Sequence, residues 1–307
     1  MKTTDELIQT YLNGLKAALK GADKATVQDA LADAEEHLRT ALESEKDQKE
    51  GLEENAALEK IIQDYGEPEE IALAYISWES SLPSALAATP AARRAASHTN
   101  GKSYPGFFGV FADPLAWGGL VYMLISIMTG TLYFSWAVTG LSTSLSVMIL
   151  IIGIPVAILF LLSVRGLAFL EGRLVEALLG ERMPRRASFT DSSLGWVERL
   201  KQLLTGKSTW LGLLYMVLML PLGIIYFTVM VTLISLAVAF IISPIATIFF
   251  NVPFMIDIDP SHSYILPAWL SPLLSVLGLA LAAGTMHIAR WVGKFHGRFA
   301  KALLVSD

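Results

Sequence analysis

The sequence contains no cysteine, and only 17% of its 307 residues are charged. Without cysteine the chain forms no disulfide and binds no zinc ion or iron–sulfur cluster through thiolates. Soluble domains carry about 25% charged residues. This shortage of charge, together with 53% hydrophobic residues, argues against a simple soluble enzyme. The first ten residues include acids and no apolar run, so we expect no signal peptide.

The acidic residues are concentrated in the first quarter of the chain. Residues 1–80 contain 19 Asp and Glu against 8 Lys and Arg, a net charge of −11. Residues 81–307 contain 9 Asp and Glu against 15 Lys and Arg, a net charge of +6. In the acidic part, apolar residues such as Ile8, Leu12 and Leu15 recur at three- and four-residue steps, which predicts amphipathic helices. We therefore expect residues 1–80 to form a small acidic bundle of three or four helices.

Three segments of this part, YLNGLKAAL, ALADAEEHLRTAL and LEKIIQDYGEPEEIALAYI, resemble the HAAS domain family. That family is a small cytoplasmic helical signalling module of bacteria, often encoded beside PadR-type regulators. The resemblance therefore implies a cytoplasmic regulatory protein, such as a PadR-type regulator, as a partner. The matching residues are Tyr11, Leu12, Leu15, Glu36, His37, Gly66, Pro68, Glu70, Ile71 and Ala72.

Polar residues of the predicted bundle are candidates for docking this partner. They are Glu35, Glu36, His37, Glu69 and Glu70. Successive residues of a helix point in different directions, so Glu35, Glu36 and His37 do not converge on a metal ion. A single histidine without a second ligand is a poor metal site. We expect His37 to pack or cap at the edge of the bundle.

A linker rich in Ala, Ser and Pro is predicted over residues 81–114. Three apolar runs without charge follow, at 115–164, 208–256 and 263–289, and each is long enough for a transmembrane helix. They predict a polytopic α-helical membrane domain over residues 115–307, so the fold class is all-α. The transmembrane helices are expected at about 117–139, 143–164, 210–233 extending toward 250, and 266–288.

The basic residues of the membrane part predict its orientation. After residue 80, every Lys and Arg falls in 93–102, 165–207 or 290–301. By the positive-inside rule these segments are cytoplasmic, which predicts a multi-pass protein of the bacterial inner membrane with cytoplasmic N- and C-termini. The run at 210–250 would measure about 60 Å as one helix, twice the hydrocarbon thickness. With four crossings preferred, residues 234–250 would re-enter the membrane or lie at its outer interface, although a further span stays open.

The membrane part is internally duplicated. Ten residues between positions 117 and 139 recur, identical, between 210 and 232, an offset of 93. A second match, at an offset of 125, relates six residues from Arg165 onward to six residues from Arg290 onward. The repeated unit is a membrane hairpin followed by an amphipathic helix. Like-oriented repeats of this kind occur in some transporters and also in scaffolds.

The amphipathic helices are predicted at about 165–180 and 290–304. Each carries cations beside an apolar stripe, the pattern of a helix that lies on an anionic membrane surface. The alternative is that both helices end the domain by packing on the bundle. The residues expected to contact the membrane surface are Arg165, Arg173, Trp291, Lys294, Phe295, Arg298 and Lys301.

The segments GLAFLEGRLVEALLGERMP, TWLGLLYMVLMLPLGIIYFTVMV and HIARWVGKFHGRFAKALL resemble the bacterial "putative sensor" membrane domain. That domain occurs next to sensor histidine kinases and also in proteins without a kinase. The sequence contains no phosphoacceptor-histidine domain and no Gly-rich ATP lid. The resemblance therefore implies that any signal would leave through the helical bundle.

No catalytic motif stands out, so we expect neither enzyme activity nor a cofactor. The predicted spans contain no Asp, Glu, Lys or Arg, which counts against an ion-coupled carrier. Asp257, Asp259 and His262 in the outer loop could bind a divalent cation or ligand, but a solvated Asp-Pro turn explains them better. The positive-inside rule explains the basic loop, so we expect no nucleic acid partner.

The resulting prediction is a non-enzymatic inner-membrane sensor or regulatory protein that passes a membrane or ligand signal to a cytoplasmic partner. The alternative is an accessory subunit or small carrier in membrane transport of apolar compounds or lipid. Membrane lipid, a cytoplasmic regulator or another membrane protein are the expected partners. Small residues also permit close helix packing with the same chain or with a second copy: Gly278, Ala280, Ala282, Ala283 and Gly284.

Overall fold

A computed structural model describes residues 3–48, 53–81, 106–147, 153–185, 205–250, 255–259, 262–265 and 267–305. The N-terminal part folds as the expected small helical bundle. Its helices are α1 (Thr4–Ala18), α2 (Lys24–Gln48), α3 (Glu54–Tyr65) and α4 (Pro68–Ser81).

Local sequence signals set where the helices of the bundle begin and end. Thr3 caps α1 in a capping box, because its hydroxyl accepts from the Glu6 N–H at 3.3 Å while its own N–H donates to the Glu6 carboxylate at 2.9 Å. Gly66 ends α3 with a φ of 112°, a backbone conformation that glycine adopts without strain. The apolar stripes meet in one core, whose fully buried side chains include Ile8, Leu15, Leu19, Leu38 and Leu58.

The membrane part contains four long helices. A 3₁₀ helix (Phe107–Ala112) forms the last part of the predicted linker, the rest of which lies outside the described residues. The long helices are α5 (Pro114–Val147), α6 (Gly153–Leu179), α7 (Lys207–Phe250) and α8 (Ser271–Leu304). Among the described residues, these are the helices long and apolar enough to cross a membrane. The chain is therefore a helical membrane protein with a small N-terminal helical part.

Helix α5 ends later than the sequence indicated. It continues through Gly140, where a break was expected, to Val147. The glycine is needed for packing, because a Cβ at Gly140 would lie 2.1 Å from the ring of Phe160 on α6. Residues 148–152, between α5 and α6, lie outside the described residues.

The predicted amphipathic helices are not separate elements. Residues 165–179 continue α6, and residues 290–304 continue α8, without a helix end at Arg165 or Arg290. The surroundings of each helix change where its sequence changes from apolar to amphipathic. The helix itself continues, because neither Arg165 nor Arg290 is a residue that breaks a helix.

Helix α7 runs for 44 residues and includes residues 234–250, so this segment continues the helix and is not a separate element. Its last part packs along α8. A Cβ at Gly278 would lie 2.8 Å from the Ile241 nitrogen, and the hydroxyl of Ser275 donates to the Ile241 carbonyl at 2.9 Å. Gly278 is buried by these contacts, and Ala283 is buried in a cluster with Met123 and Met230, so neither is open to a second copy. A short antiparallel hairpin of β1 (Met255–Asp259) and β2 (His262–Ile265), not expected from the sequence, lies between α7 and α8.

The two repeats cross where α5 meets α7. A Cβ at Gly130 would lie 2.4 Å from the Met219 carbonyl oxygen, and a Cβ at Gly223 would lie 2.4 Å from the Ser126 carbonyl oxygen. Gly130 and Gly223, like Ser126 and Met219, are 93 positions apart. The crossing is therefore pseudo-twofold, with each repeat inserting a glycine against the backbone of the other.

Candidate functional site

Six polar side chains from all four membrane helices meet in the interior of the membrane part. Four of them are almost completely buried, with exposed fractions of 0–1%, and the other two close the ends of the group. Such groups are expensive inside a membrane protein and usually mark a functional site. The group, hereafter the tyrosine cluster, consists of Tyr122 and Tyr133 of α5, Glu171 of α6, Tyr215 and Tyr226 of α7, and His296 of α8.

Glu171 is the acidic member of the cluster and accepts three hydrogen bonds from tyrosine hydroxyls. Tyr122 donates to Oε1 at 2.6 Å, Tyr215 donates to the same oxygen at 2.8 Å, and Tyr133 donates to Oε2 at 2.8 Å. An ionised carboxylate can only accept hydrogen bonds. Three donors therefore replace the water that Glu171 gives up when it is buried.

His296 is the basic member and contacts three of the same tyrosines. Its Nε2 lies 2.6 Å from the Tyr122 hydroxyl and 3.1 Å from that of Tyr215, and its Nδ1 lies 3.2 Å from that of Tyr226. Tyr122 and Tyr215 already donate their protons to Glu171, so their oxygens must accept from Nε2–H. In neutral histidine, Nδ1 then accepts the proton of Tyr226.

The internal duplication builds this cluster. The offset of 93 relates Tyr122 to Tyr215 and Tyr133 to Tyr226, and the offset of 125 relates Glu171 to His296. The hydroxyl oxygens of Tyr122 and Tyr215 lie 3.4 Å apart at its centre. The two repeats thus contribute the same tyrosines but opposite partners, an acid in one and a base in the other.

The sequence analysis did not predict this site, although the repeat contains its tyrosines. The repeat matched both tyrosine pairs as identities, but Glu171 and His296 differ and so were not matched. Glu171 also lies beyond the predicted end of the second span, which made the spans appear free of charge. The available signal was a matched pair of glycines, because Gly172 directly follows Glu171 and Gly297 directly follows His296.

The N-terminal bundle contacts the chain that follows α6. The carboxylate of Asp29 on α2 accepts a hydrogen bond from the backbone N–H of Arg185 at 2.8 Å, and it lies 3.6 Å from the guanidinium of Arg182. The guanidinium of Arg185 also lies over the ring of Trp78 on α4, 5.6 Å from its centroid. Asp29 is 5% exposed, so this contact is buried.

A second contact joins the bundle to the last turns of α8. The ammonium of Lys301 pairs with the carboxylate of Asp23, which precedes α2. The bundle is therefore held both by the chain after α6 and by the end of α8, the helices that carry Glu171 and His296.

Comparison with known proteins assigns both parts of the chain. The family model described as Putative sensor matches residues 122–304, more than half of the chain. The chain belongs to the Putative sensor family. The match spans every member of the tyrosine cluster, from Tyr122 to His296. A second family model, HAAS, matches residues 10–74 in the N-terminal bundle, which confirms both resemblances. No curated protein and no solved structure matches the chain.

Several cations of the sensor domain that were predicted at the membrane surface also have partners within the protein, and their membrane contact remains a prediction. Arg173 pairs with Glu176 at 2.7 Å and donates to the carbonyls of Met183 and Pro184. The Arg165 Nε donates to the Thr209 hydroxyl at 3.2 Å, Lys301 pairs with the HAAS bundle, and Arg298 lies 4.0 Å from Glu181. These partners come from α6 itself, the segment after it, α7 and the HAAS bundle, and the sequence pattern could not reveal them.

The remaining predicted membrane contacts are exposed on α8. Trp291 and Phe295 stack with their ring centroids 6.3 Å apart, and both are mostly exposed, as is Lys294. A cleft of about 210 Å³ that includes the neighbouring Lys294 is lined by two cations, one carboxylate, two leucines and two glycines. Its lining residues are Leu115, Leu179, Gly180, Glu181, Arg290, Gly293 and Lys294.

The candidate docking residues of the HAAS bundle fall into two groups. Glu35 pairs with Arg39 at 3.1 Å, and His37 stacks on Tyr65 with centroids 4.6 Å apart, so both have partners within the bundle. The side chains of Glu36, Glu69 and Glu70 are exposed. Docking by these residues remains a prediction.

The bundle also contains a partly buried tyrosine–aspartate pair near Trp78. The Tyr75 hydroxyl donates to Asp33 at 2.6 Å, and burial together with this hydrogen bond raises the pKa of Tyr75. These residues and Ala74 line an open cleft of about 320 Å³. The cleft lies beside the contact with Arg185.

The predicted outer-loop ligands Asp257, Asp259 and His262 lie on the β hairpin. The backbone pairs Asp259 with His262, and Asp257 with Ser263. Their side chains lie outside the described part of the structure, so the cation site remains a prediction. Within the described part, no group of three or more His, Cys, Asp or Glu could hold a metal ion.

Proposed function

We propose that the chain is a non-enzymatic sensor of the bacterial inner membrane that passes a change in its membrane domain to a cytoplasmic protein through the HAAS bundle. One observation carries this proposal. The bundle is held by the segment after α6 and by the end of α8, and these two helices supply Glu171 and His296, the ionisable members of the tyrosine cluster. A shift of Glu171 or His296 therefore has a direct mechanical route to the bundle.

The first route runs through α6. Glu171 is two residues before Arg173, which holds the carbonyls of Met183 and Pro184. Arg182 and Arg185 of the same segment hold Asp29 of the bundle. A rotation of α6 that changes the Glu171 contacts would move Arg173 and with it this segment.

The second route runs through α8 and is shorter. His296 and Lys301 lie on the same uninterrupted helix, five residues apart. Lys301 pairs with Asp23 of the bundle. The two routes end on either side of the start of α2, so a relative movement of α6 and α8 would tilt or release the bundle.

The orientation of this arrangement follows from charge. Lys and Arg of the membrane part occur only in the segments that the positive-inside rule assigns to the cytoplasm. Four crossings would keep both termini on the same side, which supports a cytoplasmic HAAS bundle and C-terminus. The net charge of −11 over residues 1–80 favours a partner with a basic surface. A PadR-type regulator, which the HAAS resemblance implies, is such a candidate.

Membrane lipid is the stimulus that the exposed surface favours. Trp291 and Phe295 are aromatic, exposed and next to a basic cleft, as is typical of residues at the membrane interface. They lie on α8 immediately before His296. A change in lipid contact would thus act on the helix that also contacts the bundle.

The test is hydrogen exchange of the full chain in nanodiscs, measured over residues 20–30 around Asp23 and Asp29. We expect Glu171→Gln to increase exchange there, because an amide cannot accept the three hydroxyl donors as a carboxylate does. Ser243→Ala is the matched control. It removes a buried hydroxyl that donates to the Ser271 carbonyl at 3.3 Å, a contact between α7 and the start of α8. Equal exchange in both variants and the wild type would contradict the proposed route.

A further inference from the structure

The tyrosine cluster has a hydrogen-bond pattern that fixes its central protons and leaves those at its two ends adjustable. The hydroxyls of Tyr122 and Tyr215 contact both the Glu171 carboxylate and Nε2–H of His296, which fixes their protons. Among the described residues, Tyr133 makes one hydrogen bond, to Oε2 of Glu171, and Tyr226 makes one, to Nδ1 of His296. Tyr226 is the one that bonds to the base. Its hydroxyl can donate to a neutral ring or accept from a protonated one.

We propose that the tyrosine cluster is a proton-binding site, in which Nδ1 of His296 takes up one proton from water while the Tyr226 hydroxyl turns from donor to acceptor. No heavy atom has to move, since an oxygen–nitrogen distance of 3.2 Å serves either direction. The cluster changes from a lone buried carboxylate, with a charge of −1, to an ion pair with no net charge.

The groups around His296 favour this position for the proton. The titratable groups in contact with the ring are Tyr122 of α5 and Tyr215 and Tyr226 of α7, and Glu171 of α6 faces it through the shared hydroxyls. Phe299 of α8 covers another part of the ring without adding charge. The carboxylate of Glu171 is therefore the charge that an imidazolium would balance, at a distance of two hydrogen bonds.

The competing position is Glu171 itself. Proton uptake at Oε2 would require the Tyr133 hydroxyl to turn, just as uptake at Nδ1 requires Tyr226 to turn. In water an imidazole is a stronger base than a carboxylate. The stronger base is the one expected to take up the proton, which assigns it to His296.

The consequence for signalling rests on the proposed function. Formation of the ion pair would draw Glu171 and His296, and so α6 and α8, toward the shared tyrosines. The proton site itself does not depend on this step, and the two are measured separately below.

The experiment uses the full chain with ¹⁵N-labelled histidine in nanodiscs, followed by NMR between pH 8 and pH 4, with His296→Gln to assign the resonance. We expect the Nδ1 resonance of His296 to move from that of an unprotonated ring nitrogen to that of an imidazolium. Tyr226→Phe removes the hydroxyl that accepts the new Nδ1–H bond, so the pH midpoint of the His296 titration should fall by about one pH unit. Tyr133→Phe removes a hydrogen-bond donor to the Glu171 carboxylate. The less stabilised negative charge then favours the imidazolium more strongly, so the pH midpoint of the His296 titration should rise by a similar amount.

The two substitutions are matched, because they remove equivalent hydroxyls of the two repeats without changing the ring. Opposite shifts support the proposal. Equal shifts, or a His296 ring that keeps one protonation state over the whole range, would overturn it. If labelled glutamate showed a pH-dependent change and His296 did not, the proton would be assigned to Glu171. This result would also overturn the proposal. Proton uptake without a change of exchange in residues 20–30 would leave the site intact and contradict only its link to the bundle.

Discussion

Gly130 and Gly223 occupy equivalent positions in the two repeats, and each lies against a backbone carbonyl of the other repeat's long helix. This reciprocal contact brings α5 and α7 close enough for Tyr122 and Tyr215 to meet at the centre of the polar site. A methyl group at either glycine would push the helices apart. The geometry of the site therefore depends on two positions that contribute no chemistry.

Replacement of these glycines by alanine should destabilise the membrane domain. The new Cβ at either position would lie 2.4 Å from a carbonyl oxygen that belongs to a helix backbone and cannot move alone. Overpacking of this kind costs about 1–3 kcal/mol. Thermal unfolding in detergent should show a lower Tm for Gly130→Ala and Gly223→Ala. Gly166→Ala and Gly284→Ala, which have no neighbour within 4 Å, are the controls and should not lower it.

Loss of either central hydroxyl should have a similar effect on stability. Tyr122→Phe leaves Nε2–H of His296 with Tyr215 as its acceptor, and Tyr215→Phe leaves it with Tyr122. Each change should cost about 1–3 kcal/mol, because buried polar groups lose a partner. The double variant leaves Nε2–H without either acceptor, so its loss of stability should exceed the sum of the single losses. Strictly additive values in a double-mutant cycle would argue against a shared network.

Removal of the Asp29 carboxylate should loosen the HAAS bundle from the sensor domain. Asp29→Ala removes both the hydrogen bond from the Arg185 N–H and the ion pair with Arg182. A loss of about 1 kcal/mol corresponds to roughly fivefold faster hydrogen exchange at the start of α2. Asp64→Ala removes an exposed carboxylate of the same bundle and is the control. Faster exchange in both variants alike would indicate general destabilisation rather than undocking.

The HAAS bundle should lose stability at alkaline pH. The Tyr11 hydroxyl donates to the Gly66 carbonyl at 2.8 Å, and burial raises the pKa of Tyr11 to about 12. A raised pKa means that the folded state holds the proton more tightly than the unfolded state does. The resulting stability is fully present below pH 10 and is lost as the pH rises from 10 to 12. Tyr75, whose pKa is also raised, acts in the same direction.

Circular dichroism of the full chain should show this loss as a falling unfolding temperature between pH 10 and pH 12. Tyr11→Phe has no proton to lose at this position, so its unfolding temperature should depend less steeply on pH over the same interval. An identical slope in the variant and the wild type would mean that Tyr11 titrates in the folded state as it does in water.

The basic cleft should retain an anionic phospholipid. Lys294 lines the cleft and is exposed, so Lys294→Gln removes one positive charge without disturbing the core. One cation near a membrane surface contributes about 1 kcal/mol, which corresponds to roughly fivefold weaker lipid retention. Native mass spectrometry with added phosphatidylglycerol measures this retention. Lys207→Gln removes an exposed cation outside the cleft and should retain lipid as the wild type does.

The sequence predicted the helices of both domains, but it could not locate all of their ends. The periodicity of Ile8, Leu12 and Leu15 describes one face of a helix, and the bundle follows directly from it. Gly140 indicated a break, yet it is a contact point for Phe160. A glycine that ends a helix and a glycine that admits a neighbour look alike in a single sequence, because the second depends on a residue 20 positions away.

For a similar reason, the sequence contained only part of the information needed to predict the candidate site. Identical tyrosines identify the repeat, whereas Glu171 and His296 have diverged and carry the chemistry of the site. Arg173 and Lys301 lie in segments with the composition of a membrane-surface helix, but Arg173 holds carbonyls of the segment after α6 and Lys301 pairs with Asp23, 278 positions away. Only packing in three dimensions reveals which cations face protein and which face outward.

The acid in one repeat and the base in the other make the two halves of the membrane domain complementary rather than interchangeable. Two copies of the first half, assembled as a symmetric pair, would direct two carboxylates at the same pair of tyrosines, and their like charges would repel. Two copies of the second half would direct two imidazoles there, with no acid to accept the tyrosine protons. A half-length protein could therefore reproduce the helix crossing by pairing with itself, but not the site at its centre, which requires one copy of each half.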